Sequence, residues 1–130
     1  MTPQSQIHNA NEALTFSERF LTAAQQLAAS NLYDRATSQL YYAVFHAVRA
    51  LLFTAGIEPR SHRSLRSLFR LHFVKNGLFL NEDAVFLDQL SQEREDADYV
   101  ITYVVDIKEY EGWLTQAQDL IARIKTNVPH

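Results

Sequence analysis

Arg94 and Asp98 stand four residues apart in the stretch Gln92-Glu93-Arg94-Glu95-Asp96-Ala97-Asp98-Tyr99, which reads as helix. Leu87, Leu90, Ala97 and Ile101 fall on roughly the same helical face as this pair. Ionised groups resist leaving water unless they are paired, so charges aligned with an apolar stripe form either a buried structural ion pair or the floor of a site. An intrahelical salt bridge prefers the acid on the N-terminal side, and here the order is reversed, which makes the pair a poor device for helix stability alone. Tyr99 adds a hydroxyl next to it.

Two further pairs are candidates. His46 and Arg49 lie three apart in an otherwise apolar helix and share a face with Tyr42 and Phe53. They read either as a hydrogen-bonded core histidine with an arginine answering an acidic neighbour, or as a polar pocket facing the helix of Arg94, with Arg49 opposing Asp98. His62 and Arg63 directly follow Ser61, a helix-capping residue; free N–H groups at a helix start bind anions, so these two read either as phosphate or nucleotide ligands or, for His62, as a structural residue beside the cap. The five histidines show no i, i+4 pairing and there is no cysteine, so no metal site is expected. Neither a glycine-rich phosphate loop nor a serine nucleophile elbow occurs, and no cofactor is expected.

The elements that position these groups follow from apolar spacing and punctuation. The 130 residues suit one domain, and 47% hydrophobic residues suffice for a core without disulfides. No apolar run approaches the roughly 20 residues of a membrane span, and Met1 to Asn11 lacks an apolar signal core, so a soluble cytoplasmic protein is expected. Residues 1–8 read as a flexible tail and residues 9–126 as a helical domain. The first helix is expected from about Asn9 to Ser30, with Asn31 capping the next. The second, about Leu32 to Ala55, is apolar nearly all round and therefore central. Its small residues Ala36, Ala43, Ala47 and Ala50 let a neighbour approach closely, and Gly56 suits the position that ends it. Ser61 caps a third helix to about Asn76, closed by Gly77, and Asn81 caps a fourth, which carries Arg94 and Asp98. Val100 to Val105 is β-branched and reads as an extended link or a fraying end, and Asp106-x-x-Glu109 resembles a capping box before the last helix. The result is an all-α antiparallel bundle of four to five helices.

Net charge is −3, unevenly spread. Residues 60–75 hold Arg60, Arg63, Arg66, Arg70 and Lys75 with no acid, whereas residues 82–119 hold eleven acids against Arg94 and Lys108. Such a basic island attracts phosphate, or it meets an acidic face of the same protein or of a partner.

Three segments together resemble the HEPN domain (higher eukaryotes and prokaryotes nucleotide-binding), in its small stand-alone prokaryotic branch. They are Tyr41-Tyr42-Ala43-Val44-Phe45-His46-Ala47-Val48-Arg49-Ala50-Leu51-Leu52, Ser61-His62-Arg63-Ser64-Leu65 and Arg94-Glu95-Asp96-Ala97-Asp98-Tyr99. The likeness covers about residues 10–126. It implies a helical bundle that dimerises, with a polar motif lining a cleft at or near the dimer interface. Many members are metal-independent RNases, often toxins, with an Arg followed four to six residues later by a His. Several are paired with a minimal nucleotidyltransferase that serves as antitoxin and adenylylates a tyrosine near the motif. In this chain Arg94 is followed by Asp98 and Tyr99 instead of a His; Arg66 and His72 match the spacing only formally, on the preceding helix.

The resemblance therefore implies first a partner of a nucleotidyltransferase, in a toxin–antitoxin or nucleotide-handling pair. Alternatives are an RNase acting alone as a dimer on RNA, and a non-catalytic helical interaction module. Arg94, Asp98, Tyr99 and His46 form the candidate catalytic set; Arg49, His62 and Arg63 form the phosphate- or nucleotide-binding set.

Overall fold

The computed structural model describes all 130 residues, Met1 to His130. It is all-helical: α1 spans Pro3–Ala29, α2 Tyr33–Thr54, α3 His62–Phe69, α4 Asn81–Tyr99 and α5 Ile107–Thr126. α3 runs on into a single π-helical turn, Arg70–Val74. The expected bundle is thus present, with several boundaries moved.

The first helix begins at Pro3, well before the expected start at Asn9. Thr2 supplies the reason: its hydroxyl accepts from the Ser5 N–H at 3.1 Å, and Pro3 occupies the first helical position, where a missing N–H costs nothing. Asn31 does not cap α2. It sits in left-handed backbone (φ 62°) and ends α1 instead, with Asn31 N–H donating to Ala28 O at 3.0 Å and Leu32 N–H to Leu27 O at 2.9 Å. That double bond pattern satisfies the last carbonyls of the helix, and asparagine tolerates the conformation. Gly56 does the same for α2, as its position suggested: φ is 73°, and Gly56 and Ile57 donate to Phe53 O and Leu52 O, each at 3.0 Å.

α2 is the central element, packed against α1, α3, α4 and α5. Ala36, Ala43, Ala47 and Ala50 are fully buried. The closeness they permit is visible at Ser17, whose hydroxyl crosses from α1 to donate to Ala43 O at 2.6 Å. Leu40, Tyr41, Val44, Val48 and Leu51 join Leu65 and Phe69 of α3, Leu87 and Leu90 of α4, and Tyr110, Leu120 and Ile124 of α5 in one continuous core. α5 is pinned to α4 by Arg123, which grips both oxygens of buried Asp83 at 2.6 and 2.8 Å. Asp83 also accepts from Leu80 N–H at 2.9 Å and so caps α4 from inside; Asn81 is simply the first helical residue.

α4 ends at Tyr99. Val100 is extended, so Ile101 lies beyond the helix and is fully exposed rather than on the apolar face with Leu87 and Leu90. Asp106 precedes α5 without a side-chain capping bond, so the expected capping box is not formed. None of the helices is long and apolar enough to cross a membrane.

Candidate functional site

The capped start of α3 and the middle of α4 flank an open cleft of about 710 Å³, and Tyr41 of α2 lies beneath it, against His62 and Arg94. α3 begins where it does because Ser61 and Ser64 bond reciprocally: Ser64 N–H donates to Ser61 Oγ, and Ser61 N–H to Ser64 Oγ, each at 3.0 Å. This fixes His62 at the rim with Arg63, Arg66 and Arg70 after it.

Arg94 is the deepest cation. Its side chain is only 13% exposed, and its guanidinium lies 5.3 Å from the ring centre of Tyr41 and 5.9 Å from that of Tyr42. Such stacking orients a desolvated guanidinium without neutralising it. Its Nε is buried with no hydrogen-bond partner, and its Nη1 is 3.7 Å from Asp98 Oδ2. Asp98, whose side chain is 23% exposed, is held mainly from α2: Arg35 Nη1 lies 3.3 Å and the Ser38 hydroxyl 3.1 Å from its Oδ1. Arg35 also donates to Ala97 O at the end of α4. The pair at 94 and 98 is thus partly dry, as its alignment suggested, but the guanidinium that answers Asp98 across the helices is Arg35. The expected opposition of Arg49 and Asp98 is not formed.

His62 is tied to α2. Its Nδ1 lies 2.6 Å from the hydroxyl of Tyr41, and its ring packs 4.5 Å from Phe45. Burial, then the charges of Arg94 and Arg66, lower its pKa below the usual histidine range. Arg66 donates to Ser91 Oγ at 3.0 Å and sits 3.4 Å from Asp88; Arg70 holds Asp88 at 2.6 Å. The basic island is therefore partly answered inside the protein. Arg63 lines the cleft without an ion-pair partner.

His46 and Arg49 are elsewhere. They face α1 rather than α4, because an all-round apolar helix gives its few polar groups no preferred neighbour. His46 stacks on Phe20 at 5.3 Å and lies 5.6 Å from Phe16; its Nδ1 is buried without a partner. Burial, then Arg49 and His62, push its pKa down to about 4. Arg49 lies over the ring of Phe53 at 4.9 Å, near Glu12 and Glu58. Tyr99 is 78% exposed at the end of α4 and does not line the cleft. The cleft thus gathers Arg94, His62 and Arg63 of the expected residues, with Asp98 bonded behind Arg94. No group of three or more His, Asp or Glu side chains is placed to hold a metal ion.

Three contributors escaped the sequence reading. Tyr41 was legible only as part of an apolar run, although a buried phenol needs a partner for its hydroxyl. Arg35 and Ser38 reach Asp98 across 63 and 60 residues, a distance that no local pattern encodes.

The HEPN domain family matches residues 10–127. The chain is 30% identical over 109 residues to the Methanocaldococcus jannaschii protein named "Putative toxin MJ0142", covering 84% of this chain and 74% of that one. It is also 30% identical over 112 residues to "Putative toxin MJ0605" of the same organism, covering 86% and 83%. A Thermotoga maritima UPF0332 protein is 26% identical over 105 residues, 81% of this chain and 80% of its own. With the family match running from the first turns of α1 to the end of α5, over a five-helix bundle with its cleft between α3 and α4, the chain belongs to the HEPN domain family.

Proposed function

We propose that this chain is a toxin-type HEPN protein that works as a homodimer in the cytoplasm beside a minimal nucleotidyltransferase, and that its arginine-lined cleft receives the phosphate of RNA or of a nucleotide. The observation that carries the reading is the cleft's charge. Arg63, Arg66, Arg70 and Arg94 share it with only Asp88 and Glu95. Asp88 is engaged by Arg66 and Arg70, which leaves Arg63 and the stacked Arg94 to meet an anion. Arg94 is presented with its geometry already set, so little ordering accompanies binding.

Two further facts support the pairing. The relatives named as toxins match most of this chain. Tyr99 lies five residues after Arg94 and is 78% exposed, so its phenol is open to a transferase. Its oxygen would attack the α-phosphorus of ATP, forming the aryl phosphate ester as pyrophosphate leaves and the phenolic proton goes to a base of the transferase.

Pulldown of the native complex, followed by intact-mass analysis, tests this. The expected result is a co-purifying nucleotidyltransferase and one AMP linked to tyrosine, lost in Tyr99→Phe. Finding neither transferase nor tyrosine-linked AMP refutes the pairing.

A second reading is an RNase acting alone as a dimer. It is favoured by the imidazole of His62 sharing the cleft with Arg94, in place of the histidine absent after Arg94. Incubation with tRNA beside Arg94→Ala separates the two readings, and equal cleavage by both proteins removes Arg94 from any catalytic role.

A further inference from the structure

The hydroxyl of Tyr41 and Nδ1 of His62 lie 2.6 Å apart beneath the cleft, and this contact decides how His62 meets a ligand. Tyr41 is fully buried. A buried phenol must place its proton on an acceptor, and His62 Nδ1 is the acceptor within reach. Ser91 Oγ is engaged by the Arg66 guanidinium at 3.0 Å. Nδ1 is then occupied as an acceptor, and a neutral imidazole carries its hydrogen on Nε2. That nitrogen takes no partner from the protein and is open to the cleft.

We propose that Tyr41 is a positioning residue that locks His62 in the Nε2–H form, so that His62 meets a phosphodiester as a hydrogen-bond donor beside Arg94 and not as a proton acceptor. The proposal rests on the phosphate-binding reading of the cleft and deepens it by assigning the substrate class and the direction of one bond. Both partners stay neutral near pH 7. Burial raises the phenol above its usual range despite Ser91, Arg94 and Arg66, and burial with Arg94 and Arg66 lowers the imidazole. A neutral donor next to a fixed guanidinium binds one phosphate through two oxygens, which a free base in that place would not do.

The test is long-range 1H–15N spectroscopy of the full-length 15N-labelled protein at neutral pH. The expected wild-type spectrum shows a pyridine-type Nδ1 and a pyrrole-type Nε2 for His62. The reverse pattern, or an even mixture, overturns the lock whatever the cleft binds. Tyr41→Phe removes the donor and should yield a mixture of tautomers; if that variant does not fold, the wild-type spectrum still decides. A 2′-O-methyl RNA octamer, which cannot be cleaved by its own 2′-oxygen, is then titrated at low salt. His62 Nε2 should shift while remaining pyrrole-type, and Tyr41→Phe should weaken binding by about twofold or less, the share of imidazole left in the wrong tautomer. Binding without any shift of His62 Nε2 overturns the donor role. Absence of binding, with the expected tautomer in place, instead refutes the phosphate-binding reading and leaves the lock standing. Inorganic phosphate is the comparison: an equal shift assigns the cleft to small phosphate ligands and overturns the phosphodiester class.

Discussion

His46 should make the stability of the bundle fall steeply with mild acid. Its ring is wedged between Phe16 and Phe20 of α1, with Phe45 and Arg49 on its own helix and His62 beyond, and no carboxylate faces it. A proton that the unfolded chain accepts near 6.5 is accepted by the folded protein only near 4. Between those values the unfolded state binds more protons, so stability rises with pH across that window. The His46 contribution is complete above about pH 7 and is lost as pH falls toward 4. The gap between the two values corresponds to about 3 kcal/mol, a large share of a small domain's total. Urea unfolding followed through the single, buried Trp113 at a series of pH values measures the loss. His46→Phe keeps the aromatic packing and removes the titration. It should flatten the profile by about 3 kcal/mol between pH 7 and pH 4, with stability at pH 7 unchanged or higher by up to about 1 kcal/mol, because a buried unpaired nitrogen is gone. Subtracting the two curves removes what other groups contribute. An equal acid loss in both proteins would refute the reasoning.

Three other predictions concern single contacts. Asp83→Asn should cost about 1 to 2 kcal/mol in chemical denaturation, because it removes the two-oxygen grip between α4 and α5 and leaves Arg123 paired only with Asp119 on its own helix. Burial raises the Asp83 pKa, but Arg123 and the Leu80 N–H outweigh it and hold the group below the usual carboxylate range; its contribution is present above that range and vanishes on strong acidification. Asn31→Gly should change thermal stability by only a few tenths of a kcal/mol, whereas Asn31→Ala should cost about 1 kcal/mol, since φ of 62° burdens a side chain that cannot bond locally. Arg63→Ala should lower the slope of log affinity for single-stranded RNA against log salt by about 0.7, one phosphate contact, as read by fluorescence anisotropy; an unchanged slope removes Arg63 from the binding surface.

What could be read in the chain, and what could not, divides by range. Gly56 and Ser61 have one chemical use in their settings, a left-handed stop and a reciprocal cap, and both are used that way. Asn31 has two, since asparagine caps a helix start and also tolerates left-handed backbone; the turn chose the second because Leu32 could then bond back to Leu27. The alignment of Arg94 with an apolar face did mark a half-dry charge. Its stacking on Tyr41, and the hold of Arg35 and Ser38 on Asp98, depend on how α2 and α4 cross. His46 and Arg49 were turned toward α1 by the same packing, because a helix apolar on every side gives no bearing from its own residues. The π-helical turn at Arg70–Val74 left no sign in the hydrophobic period, which differs too little over five residues.

The connection between α4 and α5 has a practical consequence. Ile101 and Val104 stand in water, and the segment is moored by the Tyr103 hydroxyl on Glu93 at 2.6 Å and by Val105 against the core. Serine at 101 and 104 would therefore leave the melting temperature where it is while removing greasy surface. A variant built that way separates two properties that most mutations confound: any capacity it loses belongs to encounters with other molecules, and none of it to the integrity of the fold.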